Sequence, residues 1–273
     1  MRSRNYWVQA LGLTLAVSVS ACGGGTEAPK PLDVGSAPAA PAGGGAAAPA
    51  AAVDPATAAS IKGVVALAGG APKNEPIRMN ADPVCVKEAK GPQFQETYAV
   101  AADGKSIGNV FVYVKDGLSG SFPAPSAPAK LDQIGCRYHP HVFGVQVGQP
   151  VEIVNSDPTL HNIHATPKNN PEFNNGQPIQ GMKTTQTFNA KEVMVPFKCD
   201  VHGWMNAYMA VLDHPFFAVS DAEGKFEIKG LPPGTYTIEA WHEKLGATTQ
   251  SVTLAAKDAK DVNFELTVAA TTN

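Results

Sequence analysis

No run of basic residues occurs in the chain, which carries 21 Lys and Arg against 24 Asp and Glu and a formal net charge of −3. Nucleic acid is therefore not expected as a partner, since phosphate binding needs a basic patch or stripe. No apolar stretch is long enough to span a bilayer as a helix; the run at 11–19 falls well short. No long segment repeats apolar residues at helical spacing. Also missing are a Cys-x-x-Cys-His haem attachment pattern, a His-Glu-x-x-His zinc motif and a nucleophile elbow. No enzyme is expected. Methionine and cysteine are sparse, at 6 and 4 residues.

What is present begins with a basic, then apolar, then small-residue sequence. Arg2 and Arg4 precede the apolar run, which ends Val19-Ser20-Ala21-Cys22 before Gly23-Gly24-Gly25. This order describes an export signal. The cysteine after small residues resembles the lipobox of bacterial lipoproteins. That resemblance implies removal of residues 1–21, acylation of Cys22 and, with no acidic residue next to Cys22, anchoring in the outer membrane facing the periplasm. An ordinary signal peptide with a chance cysteine is the alternative. From 22 to 59 the composition collapses to Ala, Pro and Gly, too apolar-poor to offset its ordering entropy. It reads as a flexible tether, and Pro41, Pro49 and Pro55 argue against an alanine helix.

From 60 to 268 short alternating apolar runs are separated by Gly, Pro, Asp and Asn, as in 110–114, 145–154, 226–228 and 236–241. The fold class is all-β, with sandwiches the expected architecture.

Residues 197–205 read FKCDVHGWM, placing Cys199, His202 and Met205 at three-residue intervals. Upstream, 156–165 read SDPTLHNIHA, with His161 just beyond a strand-like run. A thiolate, two imidazoles and a thioether make up the ligand set of a mononuclear blue-copper site. The run 138–155 (YHPHVFGVQVGQPVEIVN), the segment 160–164 (LHNIH) and the Cys-x-x-His-x-x-Met loop together resemble a cupredoxin of the amicyanin and plastocyanin kind, over 130–213. The resemblance implies a cupredoxin-like Greek-key β-sandwich with copper held by His161, Cys199, His202 and a weak axial Met205. It further implies that Asn162 ties the two ligand-bearing segments by hydrogen bonds, and that the edge of His202 alone reaches the surface. Met209 competes with Met205 for the axial role. His164 competes with His161, although residues three apart on a strand face opposite ways. His139, His141, His214 and His242 read as surface or structural. The Asn- and Pro-rich stretch 167–183 reads as a long surface loop.

With Cys22 acylated, three cysteines remain in an oxidising compartment, and an odd one needs a reason. Cys199 has one in the ligand-like loop, so Cys85 with Cys136 is the economical disulfide; three pairings remain open. The single loop cysteine also argues against a dinuclear copper centre.

Residues 216–246 resemble a carboxypeptidase-regulatory-like, transthyretin-type β-sandwich: Phe226 and Ile228 alternate with charged partners, and Tyr236, Ile238 and Ala240 follow after the turn 231–234. Residues 61–65 and 109–114 resemble its first strands. The expectation is a discontinuous sandwich, 60–118 plus 214–268, with the 130–213 domain inserted; two or three sequential domains are the alternative. The function these resemblances imply is periplasmic electron transfer, with periplasmic or outer-membrane redox proteins, cytochromes above all, as partners. The alternatives are a structural or glycan-binding lipoprotein, and a copper storage or delivery protein, which scarce methionine disfavours.

Overall fold

The computed structural model describes residues 53–70 and 72–268. Cys22 and most of the Ala/Pro/Gly stretch lie outside them. The described residues fall within one unit, 46–273. The protein is all-β: the described residues contain one short helix, Pro83–Glu88, among the strands, and no helix long and apolar enough to cross a membrane.

The first sandwich is assembled from distant parts of the chain. Strand Ala59–Ala68 is the hub of one sheet, antiparallel to Lys225–Leu231 and parallel to Ala259–Asp261 and Phe264–Thr267. The facing sheet runs Phe217–Val219, Phe111–Asp116, Gly234–His242, Gly246–Leu254. Strand Lys225–Leu231 shows why these segments pair as they do. Phe226 and Ile228 are buried while Lys225, Glu227 and Lys229 are exposed, the period-2 pattern of a half-buried strand. Each such apolar side chain contributes roughly 1.5–3 kcal/mol on burial, so a one-residue slip would forfeit a whole face. The strand starts at Ala59, and Val53 already packs on this core, so the stretch whose composition reads as tether contributes residues to the first sandwich.

The second sandwich is built from 129–212. One sheet runs Lys183–Thr187, Pro150–Asn155, Ala129–Ile134, Arg137–His139; the other runs Phe173–Gln177, His161–Ala165, Glu192–Lys198, Asn206–Leu212, Val142–Gln146. The chain crosses repeatedly between the two sheets, enclosing Leu131, Phe143, Val151, Ile153, Ile163, Val195 and Phe197. It leaves the first sandwich after Phe111–Asp116 and re-enters it at Phe217–Val219, and those two strands are antiparallel neighbours. One segment departs from the expected division. Met79 and Cys85, within 60–118, are buried in the second core rather than the first. The reason is covalent as well as apolar, because Cys85 is bonded to Cys136 at 2.00 Å.

The sandwiches share a third core of Phe111, Tyr113, Val142, Ala210 and Leu212, flanked by Phe217 and Trp241. Gly144 sits here because a β-carbon would lie 2.6 Å from the Phe217 ring and 2.8 Å from that of Phe111. Beside it His141 Nε2 meets Glu243 Oε1 at 2.6 Å, and the Tyr113 hydroxyl donates to Glu239 at 2.6 Å.

Candidate metal centre

Strands Glu192–Lys198 and Asn206–Leu212 pair through Lys198↔Asn206, so residues 199–205 form a loop at one end of the second sandwich. Three backbone N–H groups set its shape, two bonding to carbonyls and one to a side-chain sulfur. Cys199 N–H donates to Met205 O at 3.2 Å, and Met205 N–H to His202 O at 2.9 Å. His202 N–H donates to Cys199 Sγ at 3.3 Å, fixing the sulfur inside the loop. The neighbouring strand His161–Ala165 opens with His161, which is fully buried. Asn162 joins the two segments: its Oδ1 accepts from Asp200 N–H at 2.7 Å and Val201 N–H at 3.3 Å, and lies 3.2 Å from Cys199 Sγ.

These elements bring His161, Cys199 and His202 together, one ligand atom from each lying within 4.8 Å of the others. The two Nδ1 atoms are 3.0 Å apart, and Cys199 Sγ is 3.8 Å from His202 Nδ1. Burial pushes the Cys199 thiol up. Hydrogen bonds from His161 and His202 and from backbone N–H groups outweigh it and bring the thiol down to about 6. A buried thiol that ionises this readily beside two imidazoles is a ready metal ligand. Met205 and Met209 are both buried in the surrounding core. Met205 closes the ligand loop itself, whereas Met209 lies mid-strand opposite Val195 and Phe143. Two imidazoles, one thiolate and a nearby thioether fit copper; a thioether is a poor partner for zinc.

The far nitrogens of both histidines are also held. His161 Nε2 meets Asp157 Oδ2 at 2.9 Å, and His202 Nε2 meets Asp82 Oδ2 at 3.1 Å. For each aspartate burial acts to raise the pKa, and hydrogen bonds overcome it. In Asp157 these come from His161 and the Cys136 and Gly135 N–H groups; in Asp82 they come from Thr159, Val84, His202 and Cys85. Both stay below the ordinary aspartate range.

The surface edge expected of His202 is not there. The residue is 3 % exposed, because Asp82 and the helix it caps, Pro83–Glu88, lie over its Nε2 side, with Cys85 Sγ 3.6 Å away. Trp204 is packed rather than presented: its Nε1 donates to Cys136 O at 2.9 Å and its ring lies 5.0 Å from that of His202. His164 stands apart from the cluster, bonded through Nδ1 to Asp200 at 2.8 Å and through Nε2 to Glu172 at 2.9 Å. The stretch 167–183 is not simply a loop. It contains Phe173–Gln177, paired with His161–Ala165, and its start is pinned by Glu192, which accepts from Lys168 and Asn169 N–H at 2.6 and 2.8 Å.

Sequence reasoning missed Asp82 and Asp157. Asp157 had a faint signal, four residues before His161 in a turn-like Ser-Asp-Pro. Asp82 had none linking it to His202, 120 residues away; Asp-Pro announces only a helix start.

Residues 210–267 match the model of the carboxypeptidase regulatory-like domain. The match covers the later strands of the first sandwich and well under half of the chain. No curated protein matches the chain. Similar solved structures include a purple cupredoxin from Nitrosopumilus maritimus, at 21 % identity and TM-score 0.27, over 30 % of this chain and 98 % of that one. The Cu(I) form of an amicyanin mutant is similar at 18 % identity and TM-score 0.28, over 37 % and 97 %. A copper-containing nitrite reductase from Thermus scotoductus SA-01 shows 20 % identity and TM-score 0.30, over 36 % of this chain but only 25 % of its own length.

Proposed function

We propose that this chain is a membrane-tethered exported protein with one mononuclear blue-copper site, working as a periplasmic electron carrier and not as an enzyme. The observation that carries the reading is the buried convergence of His161, Cys199 and His202, with Met205 closing the same loop. Bound there, copper would supply a one-electron couple between Cu(I) and Cu(II). The protein's part is to hold the donors in a rigid β frame so that little moves when the charge changes. Asn162 fixes the loop against the histidine strand, and the surrounding Phe143, Phe197 and Met209 exclude water. Periplasmic or outer-membrane redox proteins, cytochromes above all, are the partners in this reading. Cys22 supplies the lipid anchor and the Ala/Pro/Gly segment the reach.

Addition of one equivalent of Cu(II) to the soluble domain is expected to produce the intense visible band of thiolate-to-copper charge transfer. Cys199→Ser abolishes that band, and Met205→Leu keeps it with a shifted potential. A colourless protein that takes zinc as tightly as copper overturns the reading.

A further inference from the structure

We infer that Asp157 and Asp82 are the positioning residues of the site: each holds one histidine by its Nε2–H, so that both Nδ1 atoms face one metal ion backed by two carboxylates. The inference rests on the copper reading for its redox consequence and on the described geometry alone for its positioning claim.

The two aspartates use their oxygens alike. Asp157 Oδ1 accepts from Gly135 N–H at 2.8 Å, and its Oδ2 takes Cys136 N–H at 2.8 Å together with His161 at 2.9 Å. Asp82 Oδ1 accepts from Val84 N–H at 2.8 Å as the cap of its helix, and its Oδ2 takes the Thr159 hydroxyl at 2.8 Å together with His202 at 3.1 Å. One oxygen anchors each carboxylate to backbone and the other grips a ring. Neither side chain can swing away without abandoning backbone donors. Asn155 adds a further brace, its Oδ1 accepting from Asp157 N–H at 3.0 Å.

The two anchors are joined covalently. Cys85 lies three residues beyond Asp82 on the same helix, and Cys136 is the residue whose N–H binds Asp157. The disulfide between them thus fixes one carboxylate relative to the other across segments 75 residues apart (157 minus 82). Its place in the fold follows from this: it locks the frame that aims both imidazoles.

Chemically, a carboxylate that accepts the outer N–H of a ligating imidazole fixes its tautomer and raises its basicity. The added negative charge favours the more highly charged ion, so it stabilises Cu(II) over Cu(I). Loss of such a partner lowers metal affinity by about 10- to 100-fold in other sites, and here the loss falls mainly on Cu(II).

The test compares full-length protein with D82N, D157N and Thr159→Val. Asparagine keeps an acceptor oxygen and removes the charge. D82N and D157N are each expected to move the Cu(II)/Cu(I) preference about tenfold toward Cu(I), which is about 59 mV for one electron, with the visible band retained. Thr159→Val, which only loosens Asp82, gives a smaller shift of the same sign. If D157N does not fold, D82N and Thr159→Val decide the redox claim. Unchanged potentials in a blue protein overturn it. In metal-free protein, ring-nitrogen NMR should show an Nε2–H with slowed exchange on both His161 and His202, whatever proton the facing Nδ1 atoms share, and D82A should release the His202 Nε2 proton alone. An Nε2 that carries no proton on either ring in the wild type overturns the positioning claim whether or not copper binds. A wild type that stays colourless defeats the copper reading while leaving that NMR result to stand or fall by itself.

Discussion

The two sandwiches follow the same alternation rule and differ in what they bury at their ends. The first encloses a nearly continuous apolar cluster, from Ile61 and Val65 to Phe264 and Leu266. The second begins in the same way with Leu131, Val151 and Ile163, but toward the 199–205 loop it buries Gln133, Asn155, Asp157, His161, Asn162 and His202. Burying a polar group costs free energy unless it is hydrogen-bonded. The second sandwich meets that cost with a connected network: the Gln133 amide donates to Gln177, and Asn155 Nδ2 donates to Thr159 O and Gln177 O at 2.8 Å each. The first sandwich also buries polar side chains, His214, Ser220 and His242 among them, so the contrast is one of number and position. The network surrounds the His161, Cys199 and His202 cluster.

The contrast can be broken most forcefully from the apolar side. Phe197→Ala and Phe226→Ala each remove a buried ring, from the second and first sandwich respectively, and each is expected to cost about 3–5 kcal/mol. Because the sandwiches share the Phe111, Tyr113, Val142, Ala210 and Leu212 core, both variants should unfold in one transition by circular dichroism and intrinsic fluorescence alike. Two separated transitions in either would show that the shared core does not couple them.

Gly144→Val attacks that coupling directly. The new side chain meets the Phe217 and Phe111 rings, and overpacking of this kind costs about 1–3 kcal/mol. The expected outcome is two resolved melting steps where the wild type gives one. A single unchanged transition would mean the rings yield to the added methyl groups.

A smaller effect separates the sandwiches by pH. His214 and His242 belong to the first, and burial pushes both imidazoles below their ordinary value. The geometry agrees. His214 Nε2–H donates to Val114 O at 2.9 Å, and its Nδ1 accepts from Phe216 N–H at 3.2 Å. His242 Nδ1 accepts from Lys244 and Leu245 N–H at 3.1 and 3.2 Å. A proton on either Nδ1 would confront those donors. With the folded value below the unfolded one, the unfolded chain binds more protons, so the contribution is complete above about pH 6.5 and is lost as pH falls through the depressed folded value. Between pH 8 and pH 5 the urea midpoint should respond to acidification differently in His214→Gln, which lacks the loss that His214 contributes in the wild type. Equal slopes in the two proteins would remove His214 from the account.

Much of this organisation was legible in the chain. The alternation of Phe226 and Ile228 with Glu227 and Lys229, and of Tyr236, Ile238 and Ala240 with their polar neighbours, specifies strands because each strand carries its own period. Cys199, His202 and Met205 are similarly readable, since three-residue spacing within one loop keeps them together whatever the rest does. What could not be read depends on distant segments meeting. The helix over His202 arrives from a part of the chain whose composition says nothing of the site, and it is held there by Cys85 finding Cys136. Val53 and the start of Ala59–Ala68 were hidden for another reason: Ala-rich sequence looks alike in a tether and at a strand edge. Burial of Ala59 against Leu231 is a tertiary fact.

The nesting of one sandwich inside the other has a consequence for the order in which the molecule can be made. Strand Ala59–Ala68 emerges from the ribosome early, yet its partners Lys225–Leu231, Ala259–Asp261 and Phe264–Thr267 come some 160 to 200 residues later. The inserted sandwich, by contrast, has every strand in hand once Leu212 has been synthesised. It is therefore the part that can close first, taking the 76–89 segment with it through Cys85, while the older strand waits as an unpaired edge open to wrong neighbours. Here the guest can finish before the host has begun to close, and the host's last strand is also the last among the described residues.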